Sequence, residues 1–209
     1  IDTVTVPGGV CGWNSLHEFG AALPWAQHFD AAISHAEDGF PNSRLVAAAL
    51  VADESSLSKD PGASAVFYPE GTPIAEGDPL VQPALAETLR RIAVGGSAEF
   101  YEGETASRWI AGLKKLGSKI SAQDAVDYSA TWGEPLEGSF GGLRVLTSPP
   151  NTSGFMLLRA LRAVEAGIED PLGLGAGLLA QAFHESNLVR VAELADPAFG
   201  AANGEQLVS

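Results

Sequence analysis

Apolar residues recur every three or four positions along most of this chain, and glycine or proline closes each run. That period is helical, and the punctuation sets the helix ends. Trp13, Leu16 and Phe19 form one stripe, stopped by Gly20. Trp25, Phe29, Ile33 and Ala36 (or Ala32) form a second, opened by Pro24 and closed by Gly39. Asn42 or Ser43 can cap a third helix, with Leu45, Val46, Ala49 and Leu50 expected to be buried. Pro83 opens the clearest one, where Leu85, Leu89 and Ile92 share a face and Gly95-Gly96 is expected to end it. Ala106, Trp109, Ile110, Leu113 and Leu116 mark the next, stopped by Gly117. Ser121 and Asp124 have capping-box spacing. A long last helix runs through Leu178, Leu179, Ala182, Phe183, Leu188 and Val191 and ends at Asp196-Pro197.

Strand signals are fewer. Thr3 to Val6 alternates and ends at Pro7-Gly8-Gly9; residues 53–66 read as a looser stretch, and Val66 to Pro69 as a brief extended piece. Ser129 to Val145 reads as two short strands around Glu137-Gly138-Ser139. Leu143 to Thr147 then runs into Ser148-Pro149-Pro150-Asn151-Thr152-Ser153-Gly154, and a helical pattern follows from Phe155 to Ala166. The prolines stop the ladder and the polar residues can cap, so this is a strand, a rigid turn and a helix. Such a junction can present hydroxyls and N–H groups to an anion, or simply turn a corner. The expected fold class is mainly α with a small antiparallel β element, residues 1–209 being a single domain or a fragment of one.

Charge and side-chain chemistry exclude more than they reveal. The net charge of −14 and pI near 4.5 repel phosphate backbones, so no nucleic-acid partner is expected. No apolar run suits a membrane span. Lys114, Lys115 and Lys119 lie at a helix end, where cations offset the dipole. Cys11 is the only cysteine, which rules out an internal disulfide and a multi-cysteine zinc site. Of the four histidines, His17, His28, His35 and His184, the pair His28 and His35 stands seven apart on one helical pattern, not the four apart of a helical metal pair. His184-Glu185-Ser186 are adjacent helical residues and do not face one another. Gly173-Leu174-Gly175-Ala176-Gly177 follows no strand and makes a poor dinucleotide loop. The residues therefore define no catalytic set, no metal site and no cofactor site, and leave the substrate-binding residues open.

Several motifs, in order, resemble one family. Val6-Pro7-Gly8-Gly9-Val10-Cys11-Gly12-Trp13 is similar to the Pro-Gly-x-Val-x-Gly segment of γ-glutamyltranspeptidases. Ala31-Ala32-Ile33 with Ala36-Glu37-Asp38-Gly39-Phe40-Pro41 resembles their next helix and its exit. Gly77-Asp78, Leu80-Val81-Gln82, Leu85-Ala86, Thr88-Leu89, Ile92-Ala93 and Phe100-Tyr101-Glu102-Gly103 resemble the family's most recognisable run, and Ile120-Ser121, Asp124 and Tyr128 the segment after it. Ser148 to Gly154 resembles its Pro-Pro-Pro-Ser-Ser-Gly turn, with Ser148 and Asn151 as departures. Arg190 and Leu194-Ala195-Asp196-Pro197 resemble the end of the following helix, where Glu193 replaces a common Tyr.

The resemblance implies an N-terminal-nucleophile hydrolase with an αββα core, made as a zymogen that cuts itself into a large and a small subunit. The small subunit's new N-terminal Thr attacks a γ-glutamyl amide such as glutathione, and water or an amine accepts the acyl group. An N-terminal amine can serve as base for its own hydroxyl, so no histidine is required. Ile1 is not such a nucleophile, so this chain is expected to be an internal, mainly helical part of the large subunit, inactive alone and partnered by the small subunit. The resemblance leaves the compartment open, with a periplasmic or secreted setting common among bacterial members. Two alternatives stand beside it: an acylase or amidohydrolase of the same fold acting on another acyl group, and a truncated, non-catalytic homologue.

Overall fold

Helices dominate the computed structural model, whose description covers residues 1, 3–196, 200 and 204–208. Two compact units divide the chain, Ile1–Ala130 and Thr131–Ser209.

The first unit contains α1 (Gly9–Gly20), a 3₁₀ turn (Trp25–Phe29) that leads into α2 (Asp30–Asp38), β1 (Phe40–Pro41), α3 (Arg44–Ala52), α4 (Glu54–Leu57) and α5 (Pro61–Phe67). It continues through β2 (Pro79–Leu80), α6 (Pro83–Tyr101), α7 (Glu104–Lys115) and α8 (Ala122–Val126). β1 and β2 pair antiparallel, with Phe40 opposite Leu80. α6 is the hub, packed by α1, α2, α7, α8 and the 3₁₀ turn. Its buried face carries Ala86, Leu89, Ile92 and Tyr101, and the last three meet Val10, Phe29, Ala106, Ile110 and Ala125 from the surrounding elements. A second cluster of Leu50, Tyr68, Ile74 and Leu80 holds the α3–β2 region, and the Tyr68 hydroxyl donates to Leu50 O at 2.7 Å.

Local chemistry explains the helix ends. Ser43 Oγ accepts from Val46 N, and the Ser121–Asp124 capping box forms in full. Lys114 and Lys115 occupy the last turn of α7, where the dipole favours them. Gly95-Gly96 does not end α6 as expected: the helix continues to Tyr101, and Gly96 only breaks its regular path, at φ 71° and ψ −169°. Ile92, in the last turn before that break, offers its carbonyl to the Trp25 indole N–H at 2.9 Å.

Several segments depart from what their sequence patterns suggest. Thr3 to Val6 is not a strand, because no neighbouring segment among the described residues pairs with it. Residues 53–66 are not loose: Asp60 Oδ1 accepts from Ala63 N, and Pro61 starts α5 at its first position. Val66 and Phe67 therefore end that helix and are not extended. On α3 only Leu50 is buried, while Leu45, Val46 and Ala49 are exposed.

The second unit is a hairpin covered by helices. β3 (Leu136–Phe140) and β4 (Leu143–Thr147) pair antiparallel, with Phe140 opposite Leu143. The turn lies at Gly141-Gly142, not at Glu137-Gly138-Ser139 as the sequence suggested. Both glycines take positive φ, 58° and 78°, which a two-residue hairpin turn requires. α9 (Gly154–Glu165) lies on β3, where Gly138 lets Leu158 approach. α10 (Ala176–Glu193) packs on α9 and ends at Glu193, ahead of the expected Asp196; Pro197 lies outside the described residues. α11 (Gly204–Val208), which no sequence signal indicated, brings Leu207 and Val208 onto Phe155 and Leu158. Arg159 Nη1 and Arg162 Nη1 donate to the carbonyls of Leu207 and Val208, at 3.2 and 2.6 Å. Among the described residues no helix is long and apolar enough to cross a membrane.

Candidate functional site

The motif residues of the first unit converge on one tyrosine clamp. The Tyr101 hydroxyl, at the end of α6, donates to Pro7 O at 2.8 Å and accepts from Cys11 N at 3.0 Å. One hydroxyl thus holds both sides of the Pro7-Gly8-Gly9 entry to α1, using its donor and one acceptor site. Burial raises the Tyr101 pKa above the usual tyrosine value, which keeps that donor in place. The Tyr128 ring stacks on Tyr101 at 5.9 Å and 15°, and it lies where any side chain at position 8 would project. Cys11 Sγ accepts from Ala130 N at 3.1 Å. Segments about ninety residues apart are tied together here, and none of these groups is aligned as nucleophile and base.

Beside the clamp, α6 and α7 are joined by a network of two arginines and three glutamates. Arg91 donates to Glu104 at 2.6 Å and Glu87 at 3.0 Å, and Arg108 donates to the same two carboxylates at 2.6 and 3.3 Å. Glu99 accepts from the Thr105 backbone N–H at 3.0 Å and the Thr105 hydroxyl at 2.9 Å, with Arg91 Nη1 at 3.9 Å. Hydrogen bonds from Arg91 hold Glu87 below the usual glutamate pKa, aided by the charge of Arg108. Hydrogen bonds from Arg91 and then Arg108 do the same for Glu104, and the Thr105 backbone bond does so for Glu99. A carboxylate with a lowered folded-state pKa stabilises the fold above its unfolded value and loses that contribution as pH falls through the folded value. Thermal stability is therefore expected to fall as pH drops below about 4.3, the unperturbed glutamate value. A Glu87→Gln/Glu104→Gln variant should show a shallower fall, modest because the groups are exposed. An unchanged pH profile in that variant would contradict the assignment.

The turn that opens α9 is self-contained. Thr152 Oγ1 donates inward to the carbonyls of Ser148 and Pro149, at 3.1 and 3.0 Å. Ser153 stands at the N-cap position, but its side chain makes no cap bond. Gly154 lies so close to Thr147 that a β-carbon there would stand 2.9 Å from Cγ2 and 3.0 Å from Cβ.

The remaining candidates separate. Ser186 is buried and donates to Ala182 O at 2.7 Å, whereas His184 is exposed, so they form no pair. His35 sits on α2 against the Phe40 ring, at 6.3 Å, away from any pairing with His28. His28 lies instead on the 3₁₀ turn, where its Nε2 is 3.3 Å from Nδ1 of His17 on α1. This pairing was missed because it depends on the chain folding back after Gly20, which no spacing rule reports. Arg190 Nε donates to Asn187 Oδ1 on α10.

A family model described as gamma-glutamyltranspeptidase matches residues 1–209. The chain belongs to the γ-glutamyltranspeptidase family. It is 32% identical over 202 residues to the Acylase ACY 1 proenzyme of Pseudomonas sp. (strain SE83), covering 94% of this chain and 36% of that protein. It is also 32% identical over 201 residues to the Glutathione hydrolase-like YwrD proenzyme of Bacillus subtilis (strain 168), covering 94% and 38%. The crystal structure of Helicobacter pylori γ-glutamyltranspeptidase superposes with a TM-score of 0.87 at 27% identity, covering 97% of this chain and 60% of that one. The chain thus spans little more than a third of these curated relatives. Its mainly helical architecture is that of this γ-glutamyltranspeptidase-family, N-terminal-nucleophile fold. The clamp unites three of the family-like motifs: Pro7-Gly8, Phe100-Tyr101 and Tyr128.

Proposed function

We propose that this chain is the helical scaffold of the large subunit of a self-processing enzyme that cleaves γ-glutamyl amides such as glutathione. The observation that carries the reading is the family match across residues 1–209. The convergence of its motifs on the Tyr101 clamp supports it. In this reading a small subunit supplies an N-terminal Thr, whose hydroxyl attacks the γ-glutamyl carbonyl. The amine of the substrate leaves, and water or a second amine takes the acyl group from the Thr oxygen. The part of this chain is to hold its helices and the Ser148–Gly154 corner in place.

A second reading has its own support. The acylase relative is as similar to this chain as the glutathione hydrolase-like one, at 32% identity each. A shared scaffold does not fix the acyl group. The complete gene product, offered a γ-glutamyl anilide and a cephalosporin-type acyl amide, is expected to turn over the anilide faster. Preference for the acyl amide would replace the first reading with the second.

A further inference from the structure

His17 and His28 lie side by side in the lining of a cleft of about 380 Å³, together with Trp13, Trp25, Phe29 and Leu89. Neither the tyrosine clamp nor the arginine network uses them. Their rings are held. Trp25 packs edge-on against His17 at 5.5 Å and 73°, and it packs on Phe29 at 5.0 Å. The Trp25 indole is itself tied to Ile92 O. The imidazoles stand nearly perpendicular, at 80°, with Nδ1 of His17 and Nε2 of His28 3.3 Å apart.

That separation suits two chemistries. It is a long hydrogen bond between neutral rings. It is also the bite of two imidazoles on one tetrahedral ion, since nitrogens about 2.0–2.1 Å from zinc at the tetrahedral angle lie about 3.3–3.4 Å apart. We propose that His17 and His28 form a two-imidazole site for a divalent transition-metal ion of the zinc, nickel and copper class. Imidazole nitrogen suits these ions, whereas magnesium and calcium take oxygen ligands. No group of three or more His, Cys, Asp or Glu gathers among the described residues, so water completes the coordination. Binding requires both facing nitrogens to present lone pairs. The proton shared between them moves to the outward nitrogen of the same ring, and two neutral histidines release no net proton.

Trp25 beside His17 supplies the readout. Copper(II) titrated into the untagged complete protein at pH 7.5 is expected to quench tryptophan fluorescence saturably. His17→Ala and His28→Ala should each weaken binding at least about tenfold, while His35→Ala leaves it unchanged. Nickel and zinc should bind more weakly than copper, following the usual affinity order, and magnesium should not bind. Urea midpoints of the metal-free single variants within experimental error of the parent would exclude misfolding as the cause; a lowered midpoint would make the two residues structural. Absence of saturable quenching, or binding retained in either His17→Ala or His28→Ala, would overturn the site.

Discussion

Phe155→Ala should destabilise the second unit by about 3–5 kcal/mol, the usual cost of emptying a fully buried aromatic site. Phe155 is fully buried and touches the cluster of Leu158, Leu207 and Val208. It projects from the first turn of α9 into the space closed by α11. Total stabilities are about 5–15 kcal/mol, so this loss leaves the unit marginal. Urea denaturation should show a much lower midpoint, and Phe155→Leu, which keeps most of the apolar volume, should lose roughly half as much. A Phe155→Ala protein within about 1 kcal/mol of the parent would mean that the α9–α11 core is not a unit of stability.

Gly154→Ala, one residue earlier, acts by the opposite mechanism. It adds a methyl group where Thr147 already fills the space, meeting Cγ2 at 2.9 Å and Cβ at 3.0 Å and crowding Oγ1 still more. Thr147 is β-branched and ends β4, so its side chain cannot easily turn away. Overpacking of this kind costs about 1–3 kcal/mol. Thr147→Ala removes Oγ1 and Cγ2, so the double variant should recover at least half of the loss, a coupling expected only of residues in contact. A double variant no more stable than Gly154→Ala would show that the corner tolerates the methyl group and fails for another reason.

Both effects sit at the strand-to-helix corner, and that corner was legible. Its two prolines and run of capping residues marked it, and the structure has β4 ending at Thr147 and α9 starting at Gly154. The sequence did not show that Thr152 turns its hydroxyl inward, which makes the corner a closed structural turn. Helices with long apolar stripes were legible for the same reason, α6 and α7 above all. Short elements were not. α4 and α5 hold too few residues for a stripe, and of the two only α5 carries a side-chain cap, from Asp60. The hairpin turn was misplaced because Gly138 reads like a turn residue, whereas it is a strand glycine that admits Leu158. Leu45 and Val46 looked like core by period alone, but period cannot say which side of a helix has a neighbour. The tyrosine clamp and the His17–His28 pair share one obstacle. Each joins segments whose meeting depends on tertiary folding, so local spacing carries no trace of it.

The proposed role of this chain is that of the large-subunit scaffold of a self-cleaving γ-glutamyl enzyme. Purifying the complete gene product and sequencing the N-terminus of every chain tests it most directly. Two chains are expected, the larger containing residues 1–209 and the smaller beginning with Thr, together with γ-glutamyl anilide activity. A single uncut chain, or a smaller chain that begins with a residue lacking a hydroxyl or thiol, would contradict it.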